Sequence, residues 1–317
     1  MEAIKTTYRT WADSPRTKNN LQKLGTSIKN FIMWVGIAII LLGVCYVILA
    51  PLLGILSRVF MSHADITNPL VFIIPLEPTL YNIQQAFIFM NFWRTTAATM
   101  AYSLGISVLQ VLICSMVGYG FARFKFKGSE LLFALVIISI VIPTQVYMIP
   151  MYIHFQLFYP ANLVGTIWPM LMLTITGVGI RSGLYIYIFR QFFRGIPKEI
   201  EEAAFIDGAG AFGTYTRIML PNAVPAIVTV FLFAFVWQYN DTYYTGLLML
   251  GNRMMANTLG SLQFNFNQAM GSTVENPIVT QLVVFGGVLL VITPIMIIYL
   301  FLQRFFVEGL ERSGIVG

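Results

Sequence analysis

Acidic and small side chains are concentrated in one short segment of an otherwise apolar chain. The segment reads Glu201-Glu202-Ala203-Ala204-Phe205-Ile206-Asp207-Gly208-Ala209, and Ile218-Met219-Leu220-Pro221 follows shortly afterwards. Its carboxylates can pair with basic groups of a partner, and its small side chains allow a partner's backbone to approach closely. We interpret the segment as a docking element for a soluble protein. An ordinary amphipathic connector is the alternative.

Residue types that carry covalent chemistry are sparse elsewhere. His63 and His154 are isolated, and Cys45 and Cys114 lie in apolar runs, where cysteine behaves as a small hydrophobic residue. The sequence has no His/Cys/Asp/Glu cluster with metal-ligand spacing, no paired-carboxylate site and no phosphate-binding loop. We therefore expect no cofactor or metal bound by this chain, and no ATP hydrolysis by the chain alone.

Polar side chains inside the apolar segments are the second group of candidates. An ionisable residue at membrane depth is a functional candidate by default, and hydrogen-bonding groups beside aromatic faces can bind a polar solute. The candidates for a translocation pathway are Gln110, Gln145, Arg181, Trp237, Gln238, Asn240 and Asp241. Ordinary packing or an interhelical hydrogen bond is the alternative for each residue. An ion pair between Arg181 and Asp241 is a further alternative.

The composition indicates the elements that must position these residues. Hydrophobic residues make up 57% of the 317 residues and charged residues only 10%, whereas roughly 25% of a soluble domain is charged. Six segments are long enough to cross a bilayer as helices. We thus predict an all-α, polytopic membrane protein with six transmembrane helices, over Phe31–Leu56, Thr95–Phe121, Leu131–Met151, Ile167–Phe193, Val224–Leu250 and Val279–Leu302.

Lysine and arginine are distributed asymmetrically between the two sides of this arrangement. Most lie in the N-terminal tail, between the second and third segments, between the fourth and fifth, or near the C-terminus, whereas the other side carries Arg58, Arg94 and Arg253. The positive-inside rule places both termini and the acidic segment in the cytoplasm. Without a basic stripe interleaved with aromatics, no nucleic-acid partner is expected.

The predicted organisation follows from these assignments. The ranges are a cytoplasmic tail over 1–30, a first transmembrane helix over 31–56, an extracytoplasmic loop over 57–93, a permease core over 94–303 with the docking helix at 197–209, and a cytoplasmic tail over 304–317.

Read as a helix, the acidic segment has suitable ends. Pro197 suits a first helical position, and Gly208 can adopt the left-handed conformation that closes a helix. Ile200, Ala203 and Ala204 then share one small face. Phe205 points away from that face, so we expect it to anchor the segment to its own membrane domain.

The spacing of this segment resembles a known family signature. Glu202-Ala203-Ala204, Asp207-Gly208-Ala209 and then Ile218, Leu220 and Pro221 resemble the EAA motif of permease subunits of bacterial ABC importers. In that family the segment forms the coupling helix, which sits in a cleft of the ATPase subunit. The resemblance implies that these nine residues couple the chain to an ATPase.

Other stretches are similar to the carbohydrate-importer branch, specifically the maltose-type second permease. These are Pro78–Asn82, Trp237–Asp241 and Gln303–Leu310, although Val316 replaces the usual lysine before the final glycine. The resemblance implies the fold of a type I importer transmembrane domain, embedded in lipid. It also implies a second permease, two ATPase subunits that bind ATP and magnesium, and an extracytoplasmic solute-binding protein.

The most specific function compatible with the sequence is that of a permease subunit, which forms half of the translocation pathway for a sugar or oligosaccharide. The same kind of importer for another solute, such as glycerol phosphate or a polyamine, is the nearest alternative. An autonomous secondary transporter is a more distant alternative, since neither an ion-coupling site nor a clear internal repeat is visible.

Overall fold

The computed structural model describes residues 15–250, 254–271 and 277–314. Within these ranges the regular secondary structure is entirely helical, which agrees with the predicted all-α class. Arg253 and the outer parts of both predicted tails, 1–14 and 315–317, lie outside the described residues.

Fourteen helical elements are defined in the described ranges. They are α1 Pro15–Val59, α2 His63–Thr67, α3 Tyr81–Phe89, α4 Phe92–Arg123, α5 Ser129–Val141, α6 Gln145–Gln156, α7 Trp168–Ile175, α8 Ser182–Gly195, α9 Lys198–Ile206, α10 Ala211–Asn222, α11 Val224–Tyr239, α12 Tyr243–Leu248, α13 Met255–Met270 and α14 Pro277–Gly314.

Helix α4 is the central element of the fold, and it packs against α8 and α11. Its buried stripe is unusually polar or small, and it includes Ser103, Ser107, Gln110, Ser115 and Gly118. Its opposite side exposes large apolar residues, among them Leu104, Val108, Leu112 and Met116. This polar-inside pattern is typical of a membrane helix, because lipid solvates the apolar face and neighbouring helices satisfy the polar one.

Only some of the six predicted segments are single straight helices. Three described helical stretches, Thr26–Val59, Phe92–Arg123 and Ile278–Phe301, are long and apolar enough to cross a membrane. The third predicted segment is instead α5 and α6, which meet at an angle of 106°. Pro143 lies between them and lacks the backbone N–H that a continuous helix would need at that position.

The fourth predicted segment, Ile167–Phe193, is also not one helix. It divides into α7 and α8, and the connection contains Gly177 at φ +74° and Arg181 at φ +59°. Two residues in the left-handed region cannot continue a right-handed helix. The expectation of one continuous helix here was therefore wrong, and Arg181 lies at the break.

The fifth predicted segment is interrupted near its end. Helix α11 ends at Tyr239 and α12 begins at Tyr243. At its other end, α11 meets α10 at an angle of 80°. The break between α11 and α12 contains the polar residues Asn240, Asp241 and Thr242.

The loop after α1 is held by a buried carboxylate. Asp65 accepts hydrogen bonds from the backbone N–H groups of Ser62, Leu76 and Glu77, over 3.2–3.3 Å. Burial of Asp65 acts to raise its pKa, but these hydrogen bonds outweigh that effect and leave the pKa below its ordinary value. The side chain thereby fixes a loop that the sequence predicted to be partly irregular.

Close packing of α4 on α8 depends on Gly118. A Cβ atom at this position would lie 2.6 Å from Cβ of Phe189 and 3.0 Å from the backbone nitrogen of Arg190. We predict that Gly118→Ala separates the two helices and costs about 1–3 kcal/mol of stability. Thermal denaturation of the purified protein should show a midpoint lower by several degrees.

Gly105→Ala is the matched control in the same helix, because a Cβ there has nothing within 4 Å. Equal thermal midpoints for the two variants would contradict the assigned packing of α4 and α8.

Candidate functional site

The acidic segment folds as α9, with a well-defined end. The N–H of Gly208 donates to the carbonyl of Phe205 at 3.1 Å, and the N–H of Ala209 donates to the carbonyl of Ala204 at 2.9 Å. Gly208 has φ +81°. This is the Schellman arrangement, as predicted for Gly208. At the other end the helix begins at Lys198, and Pro197 is its N-cap residue. The sequence had predicted Pro197 as the first helical residue.

Helix α9 has one buried edge and a broad exposed surface. Glu201 and Ala204 are buried, three residues apart on one side of the helix. The exposed surface contains most of the predicted coupling residues, namely Glu202, Ala203, Asp207 and Gly208. Phe205 is 43% exposed, so the expectation that it anchors α9 was wrong.

Glu201 anchors α9 to the end of α4. Its Oε2 lies 3.0 Å from Nε of Arg123, and its Oε1 accepts a hydrogen bond of 2.5 Å from the hydroxyl of Tyr119. Both ends of the ion pair are nearly inaccessible to water. A buried charge is costly without a partner, so this pair fixes the position of α9 relative to α4.

The same end of α4 also holds the preceding connection and the following segment. The Nη2 atom of Arg123 donates to the carbonyl of Ile196 at 2.6 Å. The ring of Tyr119 packs against Phe193 and Tyr215, and the hydroxyl groups of Tyr215 and Ser115 lie 2.7 Å apart. Helices α8, α9 and α10 are therefore joined to one turn of α4.

Ile218, Leu220 and Pro221 lie at the bend from α10 into α11. Ile218 and Leu220 are half-buried and Pro221 is exposed, and a π-helical turn over Tyr215–Met219 immediately precedes Leu220. These three residues shape the return of the chain into the membrane domain. They do not lie on the exposed surface of α9.

A second polar group lies at the break between α7 and α8. The Nε2 atom of Gln110 donates to the carbonyl of Ile180 at 2.5 Å and to Oγ of Ser182 at 3.0 Å. Its Oε1 atom accepts from Gln238 at 3.3 Å, and Gln238 in turn accepts from Tyr102 at 2.9 Å. Gln110 and Gln238 are buried, so they tie α4, α11 and the break together.

Arg181 and Trp237 lie on the exposed side of this network. The guanidinium carbon of Arg181 is 4.3 Å from the centre of the Trp237 ring, and both side chains are exposed. The alternative of an ion pair between Arg181 and Asp241 was wrong. The Asp241 carboxylate instead accepts from the backbone N–H groups of Tyr244 and Thr245, at 3.2 Å and 2.7 Å, and so caps α12.

The remaining pathway candidates are less closely connected. Asn240 is exposed beside the end of α11, where its amide donates to the carbonyl of Val236 at 3.0 Å. Gln145 is exposed at the start of α6, and its recorded contact is with Thr144. The structure therefore brings Gln110, Gln238, Arg181 and Trp237 together, whereas Gln145 does not join their hydrogen-bond network within the described residues.

The anchor of α9 was not predicted from the sequence, where Glu201 was assigned to the docking segment. Tyr119, Arg123 and Glu201 form the anchor, and Glu201 is separated from Tyr119 by 82 positions. The available signal was the pair of adjacent glutamates, since two neighbouring residues of a helix cannot point in the same direction. One of them therefore had to face away from the docking surface.

Removal of the anchor should release α9 locally. We predict that Glu201→Ala leaves Arg123 buried without a counterion, at a cost of about 3–5 kcal/mol. Backbone amides over Lys198–Ile206 should exchange with deuterium more than about tenfold faster, because local opening becomes easier. Mass spectrometry of that peptide measures the change.

Glu199→Ala removes an exposed carboxylate from the same helix and is the control. Equal protection of Lys198–Ile206 in the two variants would contradict the anchoring role of Glu201.

The chain is similar to known transport proteins. It is 27% identical over 301 residues to the arabinooligosaccharides transport system permease protein AraQ of Halalkalibacterium halodurans, with 94% of this chain and 100% of that protein covered. It is also 27% identical to the maltodextrin transport system permease protein MdxG of Bacillus subtilis, with 73% and 77% covered.

A solved structure shares the fold. A crystal structure of a bacterial ABC transporter involved in the import of the acidic polysaccharide alginate matches with a TM-score of 0.72 and 21% identity, covering 88% of this chain and 98% of that one. The family model that matches residues 110–312 describes a binding-protein-dependent transport system inner membrane component. This chain, with its apolar helices, belongs to that family of multi-pass membrane transport permeases.

Proposed function

We propose that this chain is a permease subunit of an ATP-driven importer for a sugar or oligosaccharide, and that it forms half of the translocation pathway. The observation that carries the proposal is α9, which presents an exposed acidic and small-residue surface while Glu201 fixes it to α4. The carbohydrate relatives support the choice of solute.

The exposed part of α9 is the proposed contact with an ATPase. Glu202 and Asp207 supply charges, Ala203 permits close approach, and Gly208 ends the helix without a side chain. In this proposal Ala204 and Ala209 support the inner side of the segment. Ile218, Leu220 and Pro221 position the following bend, so they act on coupling through the backbone.

The proposed mechanism is alternating access. Binding of ATP draws together the ATPase subunits and the docking helices held on them, and the anchor transmits this movement to α4. Because α4 also carries Gln110, the movement reaches the break between α7 and α8. The membrane cavity then opens outward and receives solute, and ATP hydrolysis resets it. This chain moves solute and performs no covalent step.

The proposed assembly contains a second permease, two ATPase subunits that bind ATP and magnesium, and an extracytoplasmic solute-binding protein. In the proposed topology the chain crosses the bacterial cell membrane six times, with α5–α6 as one crossing and α7–α8 as another. Both termini and α9 face the cytoplasm. The basic residues around α9 support this orientation.

Loss of the docking charge should uncouple transport from ATP. We predict that Glu202→Ala lowers solute uptake and solute-stimulated ATPase activity by about tenfold, because a charged hydrogen bond contributes roughly 1.5–3 kcal/mol. Membrane insertion should be unchanged. Both rates are measured in proteoliposomes that contain the full importer and its solute-binding protein.

Glu130→Ala is the control, since Glu130 is an exposed carboxylate at the start of α5 and lies outside α9. Normal uptake and normal stimulated ATPase activity of Glu202→Ala would contradict the docking assignment. Uptake of solute by the isolated chain, without an ATPase, would contradict the importer itself.

A further inference from the structure

The guanidinium of Arg181 carries a charge deep in the membrane domain. The preceding carbonyl, that of Ile180, lies 2.5 Å from the amide of Gln110. Gln110 is thirteen residues from the Arg123 end of α4, which corresponds to about 20 Å at 1.5 Å per residue. Arg181 is therefore deep in the membrane domain, where a charge without a partner is costly.

Arg181 has no carboxylate partner in the described part of the chain. The ion pair recorded among those residues joins Arg123 to Glu201, and the Asp241 carboxylate is occupied by backbone N–H groups. The Arg181 side chain also donates no hydrogen bond to a side chain or carbonyl in the described part of the chain. Its N–H donors are consequently free to bind another molecule.

The break between α7 and α8 and the Trp237 ring fix the position of the Arg181 side chain. Its backbone adopts φ +59° and ψ 14°, a conformation uncommon for residues other than glycine, asparagine and aspartate. The hydrogen bonds of Gln110 maintain the break in which this conformation occurs. Trp237 then supports one face of the guanidinium, so its edge remains available as a planar fork of donors.

A neighbouring polar atom is also unsatisfied. The hydroxyl of Tyr185, one turn further along α8, is buried and has no hydrogen-bond partner among the described residues. The region thus combines one free cation with one buried hydroxyl that has no hydrogen-bond partner among the described residues.

We propose that Arg181, supported by Trp237, is a binding site for the anionic group of a charged saccharide, either a carboxylate or a phosphate. A planar guanidinium with free donors binds both groups through two parallel hydrogen bonds. A neutral sugar would leave the charge uncompensated at this depth. The inference rests on the proposed role of the chain in a carbohydrate pathway, and it specifies the class of saccharide.

The test compares charged and neutral saccharides of matched structure. The complete importer is held in lipid nanodiscs with a non-hydrolysable ATP analogue and without its solute-binding protein, whose own selectivity would obscure the result. Equilibrium dialysis then measures binding of digalacturonate against its dimethyl ester, and of glucose 6-phosphate against glucose. The carboxylate and phosphate pairs distinguish the two sources of negative charge.

The wild-type importer should bind at least one charged probe about tenfold or more tightly than its neutral counterpart. Arg181→Asn removes the charge but tolerates the left-handed backbone, and it should abolish the preference while subunits still co-elute. Arg181→Lys should retain part of it, because a lysine keeps the charge without the fork. Arg190→Gln is the matched control. Arg190 stacks on Phe133 and lies nearer the Arg123 end of α4. Removal of its charge should leave the preference for charged probes intact.

Several results would overturn the proposal. Equal binding of charged and neutral probes by the wild type would do so, as would no binding of either charged probe. Failure of Arg181→Asn to assemble would show that Arg181 pairs with another subunit instead. In each case the response of uptake to Glu202→Ala remains an independent test of the importer, so failure of the two proposals can be distinguished.

Discussion

The buried pair of Glu201 and Arg123 determines how α9 is joined to α4 and, through it, to the apolar helices of the fold. Helix α9 is short, and most of its surface is exposed. A helix of this length is marginal in water without tertiary support. Glu201 supplies that support through an ion pair and a hydrogen bond to Tyr119. The orientation of the docking surface depends on this contact.

Helix α4 connects this ion pair to the interior of the membrane domain. One end carries Tyr119 and Arg123, and the middle carries Gln110, which holds the break before α8. The two functional regions are therefore attached to the same helix, about 20 Å apart by helical rise. This connection gives a physical route between the proposed docking surface of α9 and the proposed solute contacts of Arg181 and Trp237.

Sequence reasoning recovered the features that depend on local patterns. It predicted the all-helical membrane class from apolar runs, and it predicted the end of α9 from Gly208. It did not reveal the breaks at Pro143 and Arg181, because a broken apolar segment and a continuous one have similar composition.

The long-range contacts were beyond what the sequence could predict. Periodicity predicted that Ala203 and Ala204 share the face that meets a partner, and this was wrong for Ala204, which is buried beside Glu201. Glu201 is buried because Arg123 and Tyr119 lie opposite it, and nothing local encodes that pairing. Likewise, charge complementarity left a pair of Arg181 with Asp241 open as an alternative, whereas backbone N–H groups of α12 already satisfy Asp241.

The central claim is that α9 and α4 move as one body when ATP acts on the importer. Spin labels on Ile206→Cys and Met116→Cys, both exposed positions, would report their separation by pulsed electron paramagnetic resonance after Cys45 is replaced by serine. In assembled importers with closed ATPase subunits, we predict the same label distance as in the nucleotide-free state. A shift of the distance distribution by several ångströms, on the order of one helical turn, would contradict the account.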